Sequence, residues 1–249
     1  MNKKLSPLVV GYKGEIGSFI LQGLLRVWPK AVNIYCFDVN DTYKDRIERI
    51  KKSDIIFLCV PMEETVNWLI KYKRFLKKKI IFEQTSLKGI IFDDKRFKEI
   101  SHLNIRMMHI LFKPSMTPKE DRSLALIKPI NVMDIHNMIV WEEFVWDFVH
   151  MFDMKKENIE YHNSWERHDA IMATQQALVH KVLLLLDKFN NNCGGKRNTY
   201  LSKKIEELTL RIKLGNKDMY KLIQNNPKLK AINKLFLELF EKFKIEDYL

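Results

Sequence analysis

The sequence predicts an α/β domain at residues 1–155, followed by an all-helical domain at residues 156–249. In the first part, short apolar runs alternate with amphipathic segments, whereas almost every later segment has the period of a helix. Apolar strands that alternate with helices of this length form βαβ units. We therefore expect a parallel sheet that helices bury on both faces.

The expected strands of the first domain are its apolar runs, at residues 5–11, 33–38, 54–61, 79–84, 104–110 and 124–129. Short runs of apolar residues are typical of strands in a sheet that is buried on both faces. The expected helices occupy residues 15–28, a short basic stretch after residue 38, residues 64–76 and residues 137–152. Pro29 ends the first of these helices, because proline has no backbone N–H to continue it.

The second domain begins with a short strand candidate at residues 159–163. Ser164 is a suitable N-cap for the long helix that follows, which ends in an asparagine- and glycine-rich loop at residues 190–198. The remainder is helical by period, with turns at Gly215–Asn216 and Pro227. The segment at residues 235–243 is apolar beyond one narrow stripe, which favours contact with a second subunit.

The composition indicates a protein of the reducing cytoplasm. The three cysteines are widely spaced, so they fit neither a disulfide framework nor a metal site. No apolar run approaches the roughly 18 residues that cross a membrane, and the N-terminus lacks the pattern of a signal peptide. The net charge of +12 is compatible with nucleic acid, an anionic surface or an acidic substrate. Because the lysines are spread along the chain, we expect a solvated surface, with neither a nucleic-acid nor a membrane partner.

Three glycines stand between the first expected strand and its helix, in the pattern G-x-x-G-x-x-G. Such a turn lets the backbone approach a pyrophosphate, which then lies at the positive end of the helix dipole. The last two glycines have the spacing of the dinucleotide fingerprint, whereas the first is displaced by one residue. The expected cofactor-binding residues of this turn are Gly11, Tyr12, Lys13, Gly14, Glu15, Ile16 and Gly17.

An acidic residue follows at the distance that a dinucleotide site requires. Asp38 ends the second expected strand, about 20 residues after Gly17, where a carboxylate binds the hydroxyls of the adenine ribose. A strand-end turn residue is the alternative interpretation of Asp38. The acid favours NAD as the cofactor, while the basic Lys44 and Arg46 nearby leave NADP open.

Six segments in this order resemble the prephenate/arogenate dehydrogenases of tyrosine biosynthesis: the glycine turn, DIIFLCVP, EQTSLKG, MMHILFKPS, ERHDAIMATQQALVH and YKLIQNNPKL. The resemblance covers nearly the whole chain. It implies an NAD(P)-binding Rossmann domain, to which Val60 and Pro61 contribute, and a helical domain through which two subunits form a homodimer. The family reaction is an oxidative decarboxylation, in which hydride leaves the ring carbon that bears the hydroxyl and CO2 leaves across the ring.

This chemistry requires a base that takes the hydroxyl proton as hydride departs, and a histidine that titrates near neutrality is suited to the task. The resemblance assigns this role to His109, expected just after the fifth strand, and gives Ser86 the role of orienting that histidine and the substrate hydroxyl. Both are expected at the carboxyl ends of strands, where parallel sheets bind ligands. A core histidine and a helix-capping serine are the alternatives.

The run HDAIMATQQALVH carries polar groups that an apolar core helix does not need. The resemblance makes His180 a substrate-binding residue and gives His168, paired with Asp169, a part in building the site. Gln176 and His180 can direct hydrogen-bond donors toward an anionic ligand. The alternative is a helix-cap pair together with one buried histidine.

Several residues depart from the family pattern. Lys221 replaces an arginine that holds the ring carboxylate, and a lysine provides a point charge without the bidentate fork of arginine. Arg211 is a possible substitute for it. Ile110 and Lys113 stand where the family has proline and glycine, and Lys113 could contact a carboxylate or phosphate or be solvated.

The expected function is NAD-dependent oxidative decarboxylation of prephenate to 4-hydroxyphenylpyruvate. The same chemistry on arogenate, or on a ring-amino analogue of prephenate, remains an alternative. A second alternative is a descendant that binds NAD without catalysis, which Ile110, Lys113 and Lys221 motivate. A nucleic-acid-binding protein is a third, and it depends on the net charge alone.

Overall fold

The computed structural model of this chain describes residues 5–28, 33–128, 135–192, 199–214 and 217–242. The chain divides into two compact units, Met1–Trp165 and Glu166–Leu249. This division lies later in the chain than the boundary expected after residue 155, because the strand at Ile159–His162 pairs with the sheet of the first unit. Pro29, residues 193–198 and the turn at Gly215–Asn216 lie outside the described residues.

One seven-stranded sheet forms the centre of the first unit. Its strands are β1 (Pro7–Val10), β2 (Tyr35–Phe37), β3 (Ile55–Leu58), β4 (Ile80–Glu83), β5 (Asn104–Ile110), β6 (Leu124–Ile127) and β7 (Ile159–His162). They lie in the order β2-β1-β3-β4-β5-β6-β7. The direction of winding therefore reverses between β1 and β3, and in open α/β sheets the carboxyl ends of the strands at such a point form the ligand-binding crevice.

Helices cover both faces of this sheet. They are α1 (Glu15–Val27) and α5 (Ile135–Phe152) on one face, and α2 (Tyr43–Lys52), α3 (Thr65–Leu76) and the short α4 (Gly89–Phe92) on the other. Successive residues of a strand point to opposite faces, so Val9 belongs to the core beneath α1 whereas Leu8 and Val10 belong to the core beneath α2 and α3. The expected α/β fold is confirmed.

The sheet is parallel from β1 to β5 but not beyond. β6 runs antiparallel to β5, and β7 runs parallel to β6. Between β5 and β6 the chain forms only a short helical turn at Lys119–Asp121. Without a crossover helix the chain cannot return to the start of a parallel strand, so it pairs in the opposite direction. The expectation of a parallel sheet is therefore correct for five strands and wrong for the last two.

The second unit is helical, as expected. Its elements are α6 (Trp165–Met172), a π-helical segment (Ala173–Leu178), α7 (Val179–Asn192), α8 (Tyr200–Leu214), α9 (Lys217–Gln224) and α10 (Leu229–Lys242). The long helix predicted after Ser164 is present, but its middle is wound as a π-helix. Ala173, Ala177, Ile223 and Leu229 form a small core of their own. None of the helices within the described ranges is long and apolar enough to span a membrane.

Candidate active site

The glycine turn lies at the carboxyl ends of β1, β2 and β3. Gly11 has a φ of +77°, a conformation that glycine adopts without strain. Its N–H donates to the Phe37 carbonyl at 2.9 Å, and a Cβ at this position would overlap the Cys59 carbonyl oxygen. A Cβ on Gly17 would in turn overlap the carbonyl oxygen of Gly11. The packing of the protein itself therefore requires two of the three glycines.

Gly14 has a different reason to be glycine. It is the N-cap of α1, with extended backbone, and a Cβ there would lie 3.4 Å from the Gly11 carbonyl oxygen, an ordinary contact. The described structure leaves room for an alanine at this position. A glycine that packing does not require, at the start of a helix, is what close approach of a phosphate to the backbone would need.

Asp38 connects the end of β2 to this turn. Its carboxylate accepts hydrogen bonds from the backbone N–H groups of Lys13, at 3.0 Å, and Val39, at 2.8 Å. A carboxylate has about four acceptor sites, so two backbone bonds leave capacity for ribose hydroxyls. Arg46 donates to the Val39 carbonyl, while Lys44 is exposed beside it.

The side chains within the turn make contacts of their own. Tyr12 and Ile16 pack against the core beneath α1, and the Lys13 side chain is exposed. Glu15 accepts hydrogen bonds from the backbone N–H of Ser115, at 3.1 Å, and from its hydroxyl, at 2.5 Å. Glu15 thus holds the loop that follows β5 against the first turn of α1. The exposed Lys13 side chain and the backbone of the turn therefore remain available to a ligand.

Val60 and Pro61 follow β3 on the other side of the same crevice. The Cys59 N–H donates to the Val10 carbonyl at 3.0 Å, which holds the chain beside β1 up to the start of this segment. Val60 packs on the core beneath α3, and Pro61 is exposed. These two residues lie where the strand order reverses, as the sequence predicts for cofactor contacts.

His109 lies within β5, as its penultimate residue, and not after the strand. Its side chain is buried, with 6% exposed, and it pairs in register with Ala125 of β6. By strand alternation it shares a face with Met107, which packs with Ala125, Ile127 and the partly buried Trp165. The strand continues to Ile110 because β6 pairs antiparallel along this whole stretch.

Ser86 lies in the loop after β4 and is half-buried. β4 and β5 are neighbours, and their last paired residues are Glu83 and Met107. Ser86 follows the end of β4, and His109 lies two residues past that last pair on the adjacent strand. The topology thus places Ser86 just after β4 and His109 near the end of β5, both at the carboxyl edge of the sheet.

Gln84 is a residue of this edge that the sequence interpretation missed. Its side-chain Oε1 and Nε2 are both buried, and neither has a hydrogen-bond partner within the described part of the chain. A buried amide without partners costs several kcal/mol on cyclohexane scales and about 1–3 kcal/mol in proteins. The signal that could have identified it is its place directly after a buried strand, in the run EQTSLKG.

Lys113 lies in the loop between β5 and β6. Its backbone N–H donates to the Thr117 hydroxyl at 3.2 Å, and its carbonyl accepts from Met116 and Thr117, so the segment forms a closed turn. The side chain is exposed. The structure therefore gives Lys113 a solvated ammonium at the end of the loop that Glu15 holds.

In the second unit, His168 and Asp169 form a buried pair. The His168 Nδ1 lies 2.9 Å from Asp169 Oδ1, and neither side chain is more than 3% exposed. The Asn226 side-chain amide donates to the Asp169 carbonyl at 2.8 Å. The pair therefore joins the start of the long helix to the turn between α9 and α10.

Gln176 and His180 present unsatisfied polar atoms from the π-helical segment and the start of α7. Gln176 Oε1 and His180 Nδ1 are buried and have no hydrogen-bond partner among the described residues. The His180 ring packs edge-on against Tyr220, with centroids 5.0 Å apart. Burial lowers the pKa of His180, so the imidazole is neutral at pH 7. Tyr220 was not identified from the sequence, although the neighbouring Lys221 was, because a tyrosine at a helical spacing is equally suited to a core position.

The π-helical winding has identifiable support. The Gln224 side-chain amide donates to the Ala177 carbonyl at 2.8 Å, and Ala173 and Ala177 are fully buried. Short π-helical turns inside α-helices occur frequently at functional sites. The π-helical segment rotates the residues after it about the helix axis relative to those before it. The angle between the His168 and His180 side chains around the axis therefore differs from that in an unbroken α-helix.

Lys221 is not brought together with these groups. Its ammonium lies 3.3 Å from Asp218 Oδ1, and both side chains are about three-quarters exposed. Successive residues of an α-helix differ by about 100°, so Lys221 projects from a different side of α9 than Tyr220, which packs on His180. The side chain of Arg211 lies outside the described residues.

Comparison with protein families shows that residues 30–102 match the model described as the nucleotide-binding domain of prephenate dehydrogenase. The match begins after the glycine turn and includes Asp38, Val60, Pro61 and Ser86. Two of the six segments of the resemblance, DIIFLCVP and EQTSLKG, lie within this match, which supports the resemblance over that part of the chain.

Two solved structures share the fold over almost the whole chain. Prephenate dehydrogenase from Aquifex aeolicus has a TM-score of 0.70 and 17% identity, and the alignment covers 95% of this chain and 89% of that one. A Corynebacterium glutamicum protein, provisionally assigned as a prephenate dehydrogenase, has a TM-score of 0.69 and 17% identity, with 96% and 81% covered. At this identity the likeness concerns the fold. Comparison with curated proteins finds no match to this chain.

Proposed function

Because residues 30–102 match the nucleotide-binding domain of prephenate dehydrogenases, we propose that the protein is an NAD-dependent dehydrogenase that converts prephenate to 4-hydroxyphenylpyruvate by oxidative decarboxylation. The observation that carries the proposal is the edge of the first unit's sheet. There the glycine turn lies where the strand order reverses, and the ends of β4 and β5 present Ser86 and His109 at the same edge. By the same resemblance, we propose a cytoplasmic role in tyrosine biosynthesis.

The proposed reaction assigns one task to each of these residues. Bound NAD would supply the hydride acceptor. His109 takes the proton of the ring hydroxyl as the carbonyl develops, and Ser86 orients both the imidazole and that hydroxyl. The bond between the ring and its carboxylate then breaks, and CO2 leaves. The electrons of that bond complete the aromatic ring, and the carbonyl oxygen takes back a proton to become the product's hydroxyl group. A residue near the end of β5 and one in the loop directly after the neighbouring β4 suit this task, since general-base catalysis depends on position within hydrogen-bond reach.

The proposal is tested by the absorbance of reduced cofactor at 340 nm. Purified protein is mixed with NAD and, in separate reactions, prephenate, arogenate and the ring-amino analogue of prephenate. Reduction of NAD with prephenate, accompanied by one CO2 for each reduced cofactor, supports the proposal. Reduction with only one of the other two substrates transfers the same chemistry to that substrate, and reduction with none refutes the enzyme.

The predicted substrate-binding residues are proposed unit by unit, each from the surroundings within its own unit. In the second unit, Gln176 and His180 have buried polar atoms that lack partners among the residues that the structure describes, as ligand-binding groups require, and His168 supports their helix through Asp169. Lys113 and Lys221 are exposed cations that we propose as contacts for substrate carboxylates. A lysine binds a carboxylate as a point charge, so these contacts attract the substrate without fixing its orientation.

A preference for NAD over NADP is predicted from Asp38. Replacing Asp38 by asparagine is expected to weaken NAD binding by about tenfold, or roughly 1.4 kcal/mol, because a charge-assisted hydrogen bond to ribose is lost. NADP binding should weaken less, since the 2′-phosphate no longer meets a carboxylate. Calorimetric titration with both cofactors measures the ratio. Asp45→Asn, in the exposed N-terminal turn of α2, is the matched control. Wild-type NAD affinity in the Asp38 variant would contradict the assignment.

A descendant that binds NAD without catalysis is the second candidate. The observation that favours it is that Lys221, at the position of the family's carboxylate-binding arginine, pairs with Asp218 in an exposed setting. This alternative predicts calorimetric binding of NAD together with no binding of prephenate. Binding of prephenate to the NAD complex rejects it.

A homodimer formed through the helical unit is also proposed. Large apolar side chains on α10 are exposed, with Leu235, Leu237, Leu239 and Phe240 each more than half accessible. Exposed apolar residues at this density on one helix are typical of an interface. We expect light scattering after size exclusion to give about twice the 29.8 kDa of one chain. Leu237→Asp should shift the mass toward the monomer, whereas Leu25→Asp, equally exposed on α1, should not. A monomer for the wild-type chain refutes the proposal.

A further inference from the structure

A fully buried ion pair lies beneath the loop that carries Ser86. The Lys88 ammonium is 2.7 Å from Glu83 Oε2, and both side chains are 0% exposed. Lysine and glutamate are almost never fully buried unless they are paired. The desolvation of two such charges can exceed their attraction, and replacement by apolar residues is often neutral or stabilising. Stability alone is therefore a weak reason for this pair.

The remaining hydrogen bonds of the pair show what it connects. The second carboxylate oxygen of Glu83 accepts from the Thr85 N–H, which closes the first turn of the loop. The Lys88 ammonium also donates to the Met108 carbonyl at 2.8 Å, and it lies 3.5 Å from the Glu83 carbonyl. One buried cluster thus holds both ends of the loop at residues 84–88 and a carbonyl of the neighbouring strand.

The position of that carbonyl is significant. β4 ends at Glu83, whose partner on β5 is Met107, so Met108 and His109 extend beyond the last residue that β4 pairs. At this point the Lys88 ammonium donates the hydrogen bond to the Met108 carbonyl, in the place where β4 has ended and offers no backbone N–H. Because Met108 directly precedes His109, the ammonium anchors the loop of Ser86 to the strand at the residue next to the proposed base.

We propose that Lys88 and Glu83 are positioning residues, which hold Ser86 in a fixed relation to His109. This inference rests on the proposed function, in which Ser86 orients the imidazole and the substrate hydroxyl. The pair touches neither substrate nor cofactor in this account. The pair acts through the loop and the strand. This role requires the Lys88 ammonium, because only a side chain with several donors can join Glu83 and Met108.

The test compares variants that separate charge burial from positioning. Lys88→Met removes the ammonium and leaves Glu83 buried without its partner, which is expected to lower the thermal midpoint strongly. Adding Glu83→Gln removes the second charge and should restore much of that loss. Leu69→Ala, in the fully buried core beneath α3, is a control that destabilises the same unit without touching the loop.

If Lys88 and Glu83 position Ser86, the double variant Lys88→Met with Glu83→Gln should have a low kcat although its stability is restored. We expect its kcat to be about 10- to 100-fold below that of the wild type, since a displacement of about 1 Å can cost 10²-fold in rate. The KM for NAD should not change, and Leu69→Ala should retain its kcat at temperatures where it is folded. A double variant that regains wild-type kcat together with its stability overturns the inference.

A measurement without substrate keeps this inference separate from the proposed function. Amide hydrogen exchange is followed by mass spectrometry on peptides that cover residues 79–92 and 104–112. Faster exchange at residues 84–88 in the double variant, with unchanged exchange in Leu69→Ala, supports the anchoring role. Unchanged exchange at this loop overturns it. If the wild-type chain reduces NAD with none of the three substrates, the proposed reaction fails, and the exchange result alone decides the anchoring role.

Discussion

Replacing His109 by asparagine is expected to lower kcat by about 10²- to 10⁴-fold, the usual loss when a general base is removed. This range corresponds to roughly 3–5 kcal/mol of transition-state stabilisation. Asparagine retains a polar group of similar reach but cannot take up the hydroxyl proton. The proposed NAD site lies at the ends of β1 to β3 and does not include the imidazole, so NAD affinity should be unchanged.

The measurement is the initial rate of NAD reduction with saturating prephenate, together with calorimetric titration of NAD. His102→Asn is the control, because this histidine is exposed in the turn that precedes β5. A kcat within a few fold of wild type for the His109 variant would remove the imidazole from the mechanism. A loss of both kcat and NAD affinity would instead indicate that the buried ring supports the structure of the sheet.

Alanine substitutions in α1 and its preceding turn are expected to separate stability from cofactor binding. Gly17→Ala should lower both, because its Cβ would overlap the Gly11 carbonyl and displace the turn, at a cost of about 1–3 kcal/mol in unfolding free energy. Gly14→Ala should cost less than about 1 kcal/mol, since its Cβ has room, but should weaken NAD binding by about 10- to 100-fold. The methyl group would occupy the space through which the pyrophosphate approaches the backbone.

Gly23→Ala is the matched control for this series. Its Cβ would overlap Met151, so it should lose stability as Gly17→Ala does, yet it lies two turns further along α1 and should keep its NAD affinity. Thermal denaturation and calorimetric titration on the three variants give the two quantities independently. Wild-type NAD affinity in Gly14→Ala would show that no ligand approaches that backbone.

Local patterns were sufficient for most of the fold. The apolar runs at β1, β3 and β5 and the glycine turn before α1 could be recognised because strand burial and tight turns impose their residue types locally. The direction of β6 could not be read from its residues, since LALI suits either direction equally. It follows from the absence of a crossover helix at residues 111–123, where the sequence predicts a loop, but the pairing of β6 with β5 is seen only in the folded sheet.

Some residues of the candidate site could likewise be identified from the sequence, whereas others could be identified only from the structure. Asp38 was identified by residue type and by its place at a strand end, whereas Ser86 and His109 were assigned by the resemblance of their segments to the prephenate/arogenate dehydrogenases. Gln84 was missed because its significance is a lack of hydrogen-bond partners, which only coordinates reveal. The π-helical winding between Met172 and Val179 also escaped the sequence, because a segment of six residues is too short to show that its period is longer than that of an α-helix.

The sequence by itself determined the order of strands and helices, the position of the glycine turn and the residue types of the proposed catalytic pair, because each depends on a few neighbouring residues. Only the tertiary structure decided that Lys88 joins Glu83 to the carbonyl of Met108. That contact spans two strands, and two charged residues five positions apart are, in sequence, indistinguishable from a solvated pair. Their burial is decided by what the rest of the chain packs around them.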